Sequence, residues 1–460
     1  MRHSIHQTLA LIALTLFVHA EDAPPMVNTK VEIHSGVVQG FTHPGIGFTK
    51  RVLENARSQV IAKREPWYSA YQKLAAHPNS AEKVSCRNQS TKDPSKPDSD
   101  TFDSRGMEAR LKGDADKALR QALMYCFTAK QCHRANAMNI IRTWAKLDPK
   151  KFKSFPEDHI HASYPVQNLI VAAELMRYSA APWPDLAWST KDTEVFTGNF
   201  VIPAVTTFFD RNGHFMNQAG FPMAAAIAGY IFTNDRANYA KRIEWFTINK
   251  DASNKGWSFS IRDLARRVDT NALTGDKVSP PNIQLVEMGR DQAHAGDDMD
   301  IFMNISRMLN AQGTKVDPLT GTISNKLDAV GPYEFLDDRI LAAADQFCRF
   351  MLGRDTPWIP TPSDIGPDGT TRQIYPRIAD NYRGRIRGLD IWDAYYHYTF
   401  QKGVDVSKRA PYYHEAFCKR IADSDTDWIF IPANVSGEGA RVPATEQEPA
   451  AIEVELRSTV

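Results

Sequence analysis

Apolar residues recur along most of this chain at spacings of three and four, which is the period of an amphipathic helix. Seven segments show the pattern most clearly, each followed by a polar loop: residues 115–129, 134–147, 164–180, 221–233, 299–313, 339–353 and 389–402. Runs that alternate apolar and polar residues, as half-buried strands do, are few. The pattern predicts an all-α protein whose helices are joined by loops long enough to carry functional residues.

The predicted helix over residues 221–233 carries a face of small side chains. Ala224, Ala225, Ala226 and Ala228 lie close together within it. Small residues allow neighbouring helices to approach each other closely. Such a face is typical of helices that stack in a double layer or a ring.

The two ends of the chain differ from this helical body. Residues 1–20 combine a short basic start, an apolar core and small residues before Ala20, which is the pattern of a cleaved secretory signal peptide. The apolar core is shorter than the ~20 residues that span a bilayer. Residues 435–460 are polar, contain proline and have no period, as in a disordered tail. We expect one domain over residues 21–434 in a secreted protein, or a periplasmic one if the source is bacterial.

Composition restricts the partners of this domain. The chain has 55 basic and 54 acidic residues, a net charge of +1, so no global field attracts a polyanion and an acidic ligand needs a local basic cluster. A nucleic-acid partner is not indicated, and we expect a monomer. The five cysteines are too sparse for a disulfide scaffold, although Cys126 and Cys132 are near enough in sequence to pair. Neither a CxxC pair nor an HExxH motif occurs, so no metal or other cofactor is expected.

The first candidate cluster is VEMGRDQAHAGDD, residues 286–298. It places a cation, an amide and a titratable ring close together as Arg290, Gln292 and His294. If the segment is helical, Arg290 and His294 share one face and Gln292 points elsewhere. A loop could instead bring all three to one binding groove.

The second cluster is RNGHFMNQAGFP, residues 211–222, whose glycines and proline predict a loop that leads into the alanine-rich helix. It offers His214, Asn217 and Gln218 as catalytic or substrate-binding groups. The alternative for Asn217 is a helix N-cap, a position that asparagine favours in any protein.

The third cluster lies within residues 381–398. Its loop supplies the local positive charge through three arginines that alternate around glycine: Arg383, Arg385 and Arg387. The following helix supplies Tyr395, Tyr396, His397 and Tyr398. Helical spacing requires some of these rings to be core, and at least one, with Tyr396 as the catalytic candidate, is expected to face substrate. Because aromatic faces pack against sugar rings, three further candidates for stacking are Trp67, Tyr164 and Trp358.

Four segments occur in a fixed order between about residue 40 and residue 420: HPGIGFTKRVLENARSQVIAKREPWYSAYQKL (43–74), VEMGRDQAHA (286–295), FMLGRDTPWIP (350–360) and WDAYYHYTFQKG (392–403). Together they resemble segments of the alginate-lyase-like polysaccharide lyases, across nearly the whole mature chain. The resemblance implies an (α/α) toroid, a ring or incomplete barrel of helical hairpins with a carbohydrate groove across one end. It also implies β-elimination of a uronic-acid polymer such as alginate or glucuronan.

That reaction makes three chemical demands. The substrate carboxylate must be neutralised by hydrogen-bond donors or a cation, a base must remove the C5 proton, and an acid must protonate the departing oxygen. The resemblance assigns neutralisation to Asn217, with Arg290 as the nearby cation. The next position, where related lyases have histidine or an aromatic residue, is Gln218 in this chain. The base would then be His294, His214 or a tyrosine.

Structural alternatives exist for the same residues. His294 could be an interior histidine with its hydrogen bonds satisfied, and Arg290 could form a buried ion pair with Glu287, Asp291 or Asp297. In a mixed case, Asp291 orients Arg290 or His294 while the basic group faces substrate.

Two other functions remain open on sequence alone. A glycoside hydrolase of the same helical class would need two carboxyl groups flanking the bond, and Asp297, Asp298 and Asp300 could supply them. Alternatively, Gln218 could mark a protein that binds carbohydrate and has lost the catalytic base.

Overall fold

The computed structural model describes residues 31–88, 99–210, 214, 216–250, 259–364, 371, 373–385, 388–419 and 426–432. It is 57% helical with few short strands, which confirms the all-α prediction. The helices of the described residues are α1 (Lys50–Ile61), α2 (Trp67–Ala76), α3 (Arg105–Thr128), α4 (Gln131–Trp144), α5 (Asp158–His161), α6 (Ser163–Arg177), α7 (Thr190–Phe196), α8 (Ile202–Ala204), α9 (Asn217–Thr233), α10 (Arg236–Thr247), α11 (Ile261–Leu264), α12 (Gln292–Ala311), α13 (Phe335–Met351), α14 (Asp393–Tyr396), α15 (Val406–Arg409) and α16 (Pro411–Cys418). The expected signal peptide and C-terminal tail lie outside the described residues.

Each of the seven predicted segments contains a helix, with shifted ends. Helix α3 begins ten residues before the apolar pattern because Ser104 caps it, accepting a hydrogen bond from the Met107 amide. Helix α13 begins with three left-handed residues, so its regular turns start at Arg339, where the apolar pattern starts. π-Helical turns over Thr197–Val201 and Val205–Phe209 flank α8, and another over His397–Gln401 extends α14.

Strands form three two-stranded antiparallel sheets in the described part of the chain: β1 (Gly36–Val38) with β2 (Phe41–His43), β3 (Ala265–Thr270) with β4 (Lys277–Leu285), and β5 (Thr361–Pro362) with β6 (Ile374–Tyr375). The β3–β4 hairpin was not expected, because β4 contains Pro280 and Pro281, which disfavour strand pairing. Ala265 pairs with Leu285 at its open end, opposite the turn. The hairpin therefore delivers the chain directly to the first candidate cluster.

The long helices pack in succession. Helix α3 contacts α6, α6 contacts α9, and α9 contacts α12, while α4 packs against α3 and α6, and α10 packs against α9. The small face of α9 is buried, with Ala224, Ala225 and Ala226 at most 1% exposed. A Cβ atom on Gly229 would lie 2.7 Å from Val205 Cγ2. This close approach of α9 to the π-helical turn over Val205–Phe209 is what the alanine-rich pattern predicts.

Two smaller expectations can be compared with the fold. No helix within the described ranges has both the length and the apolar composition needed to cross a bilayer. All five cysteines have free thiols. Cys126 and Cys132 therefore do not form the local disulfide that their spacing allowed.

Candidate active site

The first candidate cluster is part turn and part helix. Val286–Gly289 forms a 3-10 turn, and α12 starts at Gln292. Asp291 caps the helix, since its Oδ1 accepts hydrogen bonds from the backbone amides of Ala293 and His294, each at 2.9 Å. Arg290 thus precedes the helix while His294 lies in its first turn, and the two do not share a helical face by i, i+4 spacing.

The Asp291 carboxylate also fixes the His294 ring. Its Oδ2 lies 2.6 Å from His294 Nδ1, so Nδ1 carries a proton and Nε2 is left to accept one. Among the described residues, no hydrogen bond reaches Nε2, and the His294 side chain is 33% exposed. The hydrogen bond to Asp291 raises the pKa of His294 above its ordinary value, although burial and Arg290 oppose the rise.

Glu287 is the buried centre of the site. Its Oε1 lies 3.0 Å from Arg290 Nη1, and its Oε2 accepts a hydrogen bond of 3.0 Å from the backbone amide of Asn217. The Asp298 carboxyl is fully buried against it. Burial, then the charge of Glu287, raises the pKa of Asp298 well above its ordinary value. This shift favours the neutral form of Asp298 beside Glu287. Glu287 itself joins the start of α9 to Arg290.

Asn217 is the first residue of α9 and does not cap it. The N-cap is Met216, and no side chain caps this end. Asn217 Nδ2 donates instead to Asp297 Oδ2 at 3.4 Å. Its Oδ1 is buried and has no hydrogen-bond partner among the described residues. Asp297 is partly exposed, and burial raises its pKa to about 6.

These residues are called the α12 cluster below: Asn217, Glu287, Arg290, Asp291, His294, Asp297 and Asp298. Tyr164 of α6 lies at its edge, where its hydroxyl donates to Asp300 Oδ2. Asp300 Oδ1 accepts a hydrogen bond of 2.8 Å from the Asp390 amide, and burial raises the pKa of Asp300 to about 7. The hydroxyl of Tyr164 is thus engaged, while its ring contacts Phe221 edge-on at 5.5 Å.

Gln292 holds the backbone around the cluster. It is 2% exposed. Its Nε2 donates to the carbonyl of Met288 at 3.0 Å and to that of Ala379 at 2.8 Å. The amide therefore ties the 3-10 turn to the loop after β6, and its donors are not directed at a ligand.

The three residues of the second predicted cluster have different surroundings in the fold. His214 lies just before α9, and its ring stacks on that of His159 from α5, with centroids 3.5 Å apart and planes 11° apart. Gln218 is the second residue of α9 and is partly exposed. Of the three residues predicted here, Asn217 contacts the α12 cluster, through Glu287 and Asp297.

The aromatic residues of the third cluster are enclosed by other parts of the fold. Their hydroxyl contacts are Tyr395 with His414 Nδ1 at 2.8 Å, Tyr396 with Asp427 Oδ2 at 3.5 Å, and Tyr398 with Asp338 Oδ1 at 3.0 Å. All three tyrosines are buried. None of these contacts involves the α12 cluster, so the geometry favours core packing for them.

One arginine of the basic loop is directed away from the cluster. The guanidinium of Arg383 lies 4.1 Å from the centre of the Phe350 ring and donates to the carbonyls of Phe350 and Arg354. The positive charge of Arg383 is therefore directed toward the end of α13. Arg385 is exposed, and Arg387 lies outside the described residues.

One contact of the site has no sequence signal. Tyr375 of β6 packs so closely on Gly289 that a Cβ atom there would lie 2.4 Å from the Tyr375 side chain. Burial raises the pKa of Tyr375 to about 12, with Glu287 and Arg290 near enough to act on it. Trp358 Nε1 donates to the Tyr375 carbonyl at 3.1 Å, so Trp358 helps to position Tyr375. Trp67, the other tryptophan predicted to stack on a sugar, is buried in the core.

Over the described ranges, no group of three or more histidine, cysteine, aspartate or glutamate side chains is arranged to hold a metal ion. Comparison of the chain with protein-family models gives no match, and comparison with characterised proteins gives no significant match. The resemblance to alginate-lyase-like enzymes therefore rests on the four sequence segments, and the site is interpreted from its own geometry.

Proposed function

We propose that this protein is a secreted polysaccharide lyase with an (α/α) toroid fold, which cleaves a uronate-containing polymer by β-elimination at the α12 cluster. The observation that carries the proposal is the oriented His294 ring. Asp291 holds its Nδ1, and Nε2 remains available beside Arg290 and the Asn217–Asp297 pair. The successive packing of α3, α6, α9 and α12 supports the toroid.

In this proposal, Arg290 and Asn217 neutralise the substrate carboxylate. Arg290 uses Nη1 to bind the Glu287 carboxylate. The Arg290 side chain is 32% exposed, so its other N–H groups can reach a ligand. Asn217 is positioned by its backbone amide on Glu287 and by Nδ2 on Asp297, so the second N–H of its side-chain amide is the donor proposed for the carboxylate. Donors fixed before the reaction stabilise developing charge best.

His294 is the proposed base. A general base must reach the proton and be neutral when it does so. Gln218 cannot accept a proton at any relevant pH, and the hydroxyls of Tyr395, Tyr396 and Tyr398 are engaged elsewhere. The ring of His214 stacks on His159, and its Nε2 is buried. His294 is the candidate with an exposed side chain and an oriented ring next to Arg290.

The hydrolase alternative has weaker support. It requires two carboxyl groups that can face the scissile bond. Asp298 is fully buried beside Glu287, and both oxygens of Asp300 accept hydrogen bonds, from the Tyr164 hydroxyl and the Asp390 amide. Asp297 is then the partly exposed carboxyl that keeps one oxygen without a partner among the described residues.

The test is a panel of alginate, polymannuronate, polyguluronate, glucuronan and glycosaminoglycans, incubated with the mature protein over a range of pH, with and without calcium. We expect depolymerisation of at least one polymer, with a rise in near-ultraviolet absorbance from the unsaturated product. Cleavage without that absorbance would indicate a hydrolase. Binding without cleavage would indicate a carbohydrate-binding protein, and an intact panel would overturn the lyase proposal.

A further inference from the structure

We propose that Asp297 is the proton donor to the departing glycosidic oxygen and that it acts on the same side of the sugar as His294. This inference rests on the proposed lyase function and adds the acid that function leaves unassigned. Residues three apart on a helix are neighbours, with Cβ atoms roughly 5–6 Å apart. His294 and Asp297 therefore stand side by side on α12.

The surroundings of Asp297 distinguish it from the other carboxyls of the helix. One oxygen receives the Asn217 amide at 3.4 Å, which fixes the group and leaves the other oxygen for a ligand. Asp298 is fully buried against Glu287, and both oxygens of Asp300 are held, by the Tyr164 hydroxyl and the Asp390 amide. Asp297 is therefore the oriented and partly exposed carboxyl of α12 that keeps one oxygen without a partner among the described residues.

The charges around Asp297 set how readily it is protonated. The groups that face it are His294, Asp291 and Asp298 of α12 and its cap, Glu287 of the preceding turn, Asn217 of α9 and Tyr164 of α6. Burial raises the pKa of Asp297 to about 6, Glu287 and Asp291 act in the same direction, and His294 acts against it. The pKa of His294 is also raised, so the two groups titrate as a coupled pair. The reactive form, with His294 neutral and Asp297 protonated, is in equilibrium with the ion pair of the same total charge.

In the proposed elimination, each proton and electron pair has a defined destination. His294 Nε2 takes the C5 proton, and the C5–H electron pair forms the C4–C5 double bond. The C4–O bond breaks, and the leaving oxygen takes the proton of Asp297. The products are an unsaturated uronate, a new hydroxyl end, an imidazolium and a carboxylate, and proton exchange with solvent restores the starting state.

The shared helix face also selects the substrate. An acid and a base on one side suit sugars in which the C5 hydrogen and the C4 oxygen lie on the same side of the ring, as in 4-linked D-mannuronate and D-glucuronate. In L-guluronate they lie on opposite sides. We therefore expect polymannuronate or glucuronan to be cleaved much faster than polyguluronate.

The test compares a natural polymer with a 4-O-dinitrophenyl uronide, whose leaving group departs without protonation. Asp297→Asn should lose on the order of 10²- to 10⁴-fold in turnover on the polymer, the range of general acid catalysis, and stay within a few-fold of wild type on the activated substrate. His294→Gln should lose activity on both. Asp300→Asn is the matched control, because both oxygens of that carboxyl are engaged by the protein, and its effect should be equal on the two substrates.

Equal losses of Asp297→Asn on both substrates, or no loss on the polymer, would overturn the assignment while the lyase function stood. A wild-type protein inactive on both substrates would instead overturn the proposed function. Should Asp297→Asn fail to fold, the wild-type pH profile decides. If Asp297 is the acid, activity on the polymer should fall at high pH, while activity on the activated substrate should not. A fall at high pH on the activated substrate as well would contradict the proposal.

Discussion

The α12 cluster and the tyrosines around α14 both concentrate titratable groups on a helix, yet the fold treats them oppositely. Tyr395, Tyr396 and Tyr398 are 6%, 3% and 1% exposed, and each hydroxyl has a protein partner. In the α12 cluster, His294 is 33% exposed and has a nitrogen without a partner in the described structure. Oriented groups with unused hydrogen-bonding capacity suit a ligand, whereas groups that satisfy one another stabilise a fold.

The largest effect that separates the two regions is expected at Asn217. Asn217→Ala should reduce turnover by about 10- to 1,000-fold, as for removal of a donor to developing charge, with little change in melting temperature. The bond to Glu287 comes from the backbone amide and survives. The lost side chain also contains an oxygen that is buried without a partner among the described residues, so its removal costs little.

Turnover on a cleaved uronate and thermal melting of the same preparation check this prediction. Ala219→Gly, two residues further along α9, is a control for simple loosening of the helix. If Asn217→Ala melted far below wild type and its activity followed the folded fraction, a structural role would explain it.

An intermediate effect is expected in the pH dependence of the pair Asp291–His294. The base must be neutral, so turnover should rise with pH through the raised pKa of His294. The sign for stability is opposite: the protonated ring stabilises the fold below its unfolded pKa of about 6.5, and this is lost as pH rises through the folded value. Asp291→Asn removes the carboxylate and should move the rise in turnover to lower pH. Asparagine also caps helices well, so α12 should persist.

Profiles of turnover against pH for wild type and Asp291→Asn measure this shift. Asp263→Asn serves as a comparison, because Ser260 and Asp263 lie at the start of α11 and outside the cluster. A profile that did not move in Asp291→Asn would remove His294 from the role of base.

The sequence predicted the helices and part of the site, for identifiable reasons. Helical period depends on local burial, so it located α12 and the small face of α9. The convergence on Glu287 joins Asn217 to a residue 70 positions away, and no local pattern encodes such a contact. The burial of Tyr398 and the close packing of Tyr375 on Gly289 likewise depend on segments that are distant in sequence.

The smallest effect on catalysis is expected at Tyr398. Its hydroxyl donates to the Tyr333 carbonyl at 2.5 Å and to Asp338 Oδ1 at 3.0 Å, and its ring is 1% exposed. Tyr398→Phe keeps the ring and leaves the buried Tyr333 carbonyl and the partly exposed Asp338 carboxylate without this donor, so it should lower the free energy of unfolding by about 1–3 kcal/mol. Turnover per folded molecule should equal that of wild type. Denaturant unfolding measures the stability, and activity at matched concentrations of folded protein measures the turnover. A loss of turnover with unchanged stability would give Tyr398 a catalytic role. The contrast between the α12 cluster and the tyrosines around α14 would then be wrong.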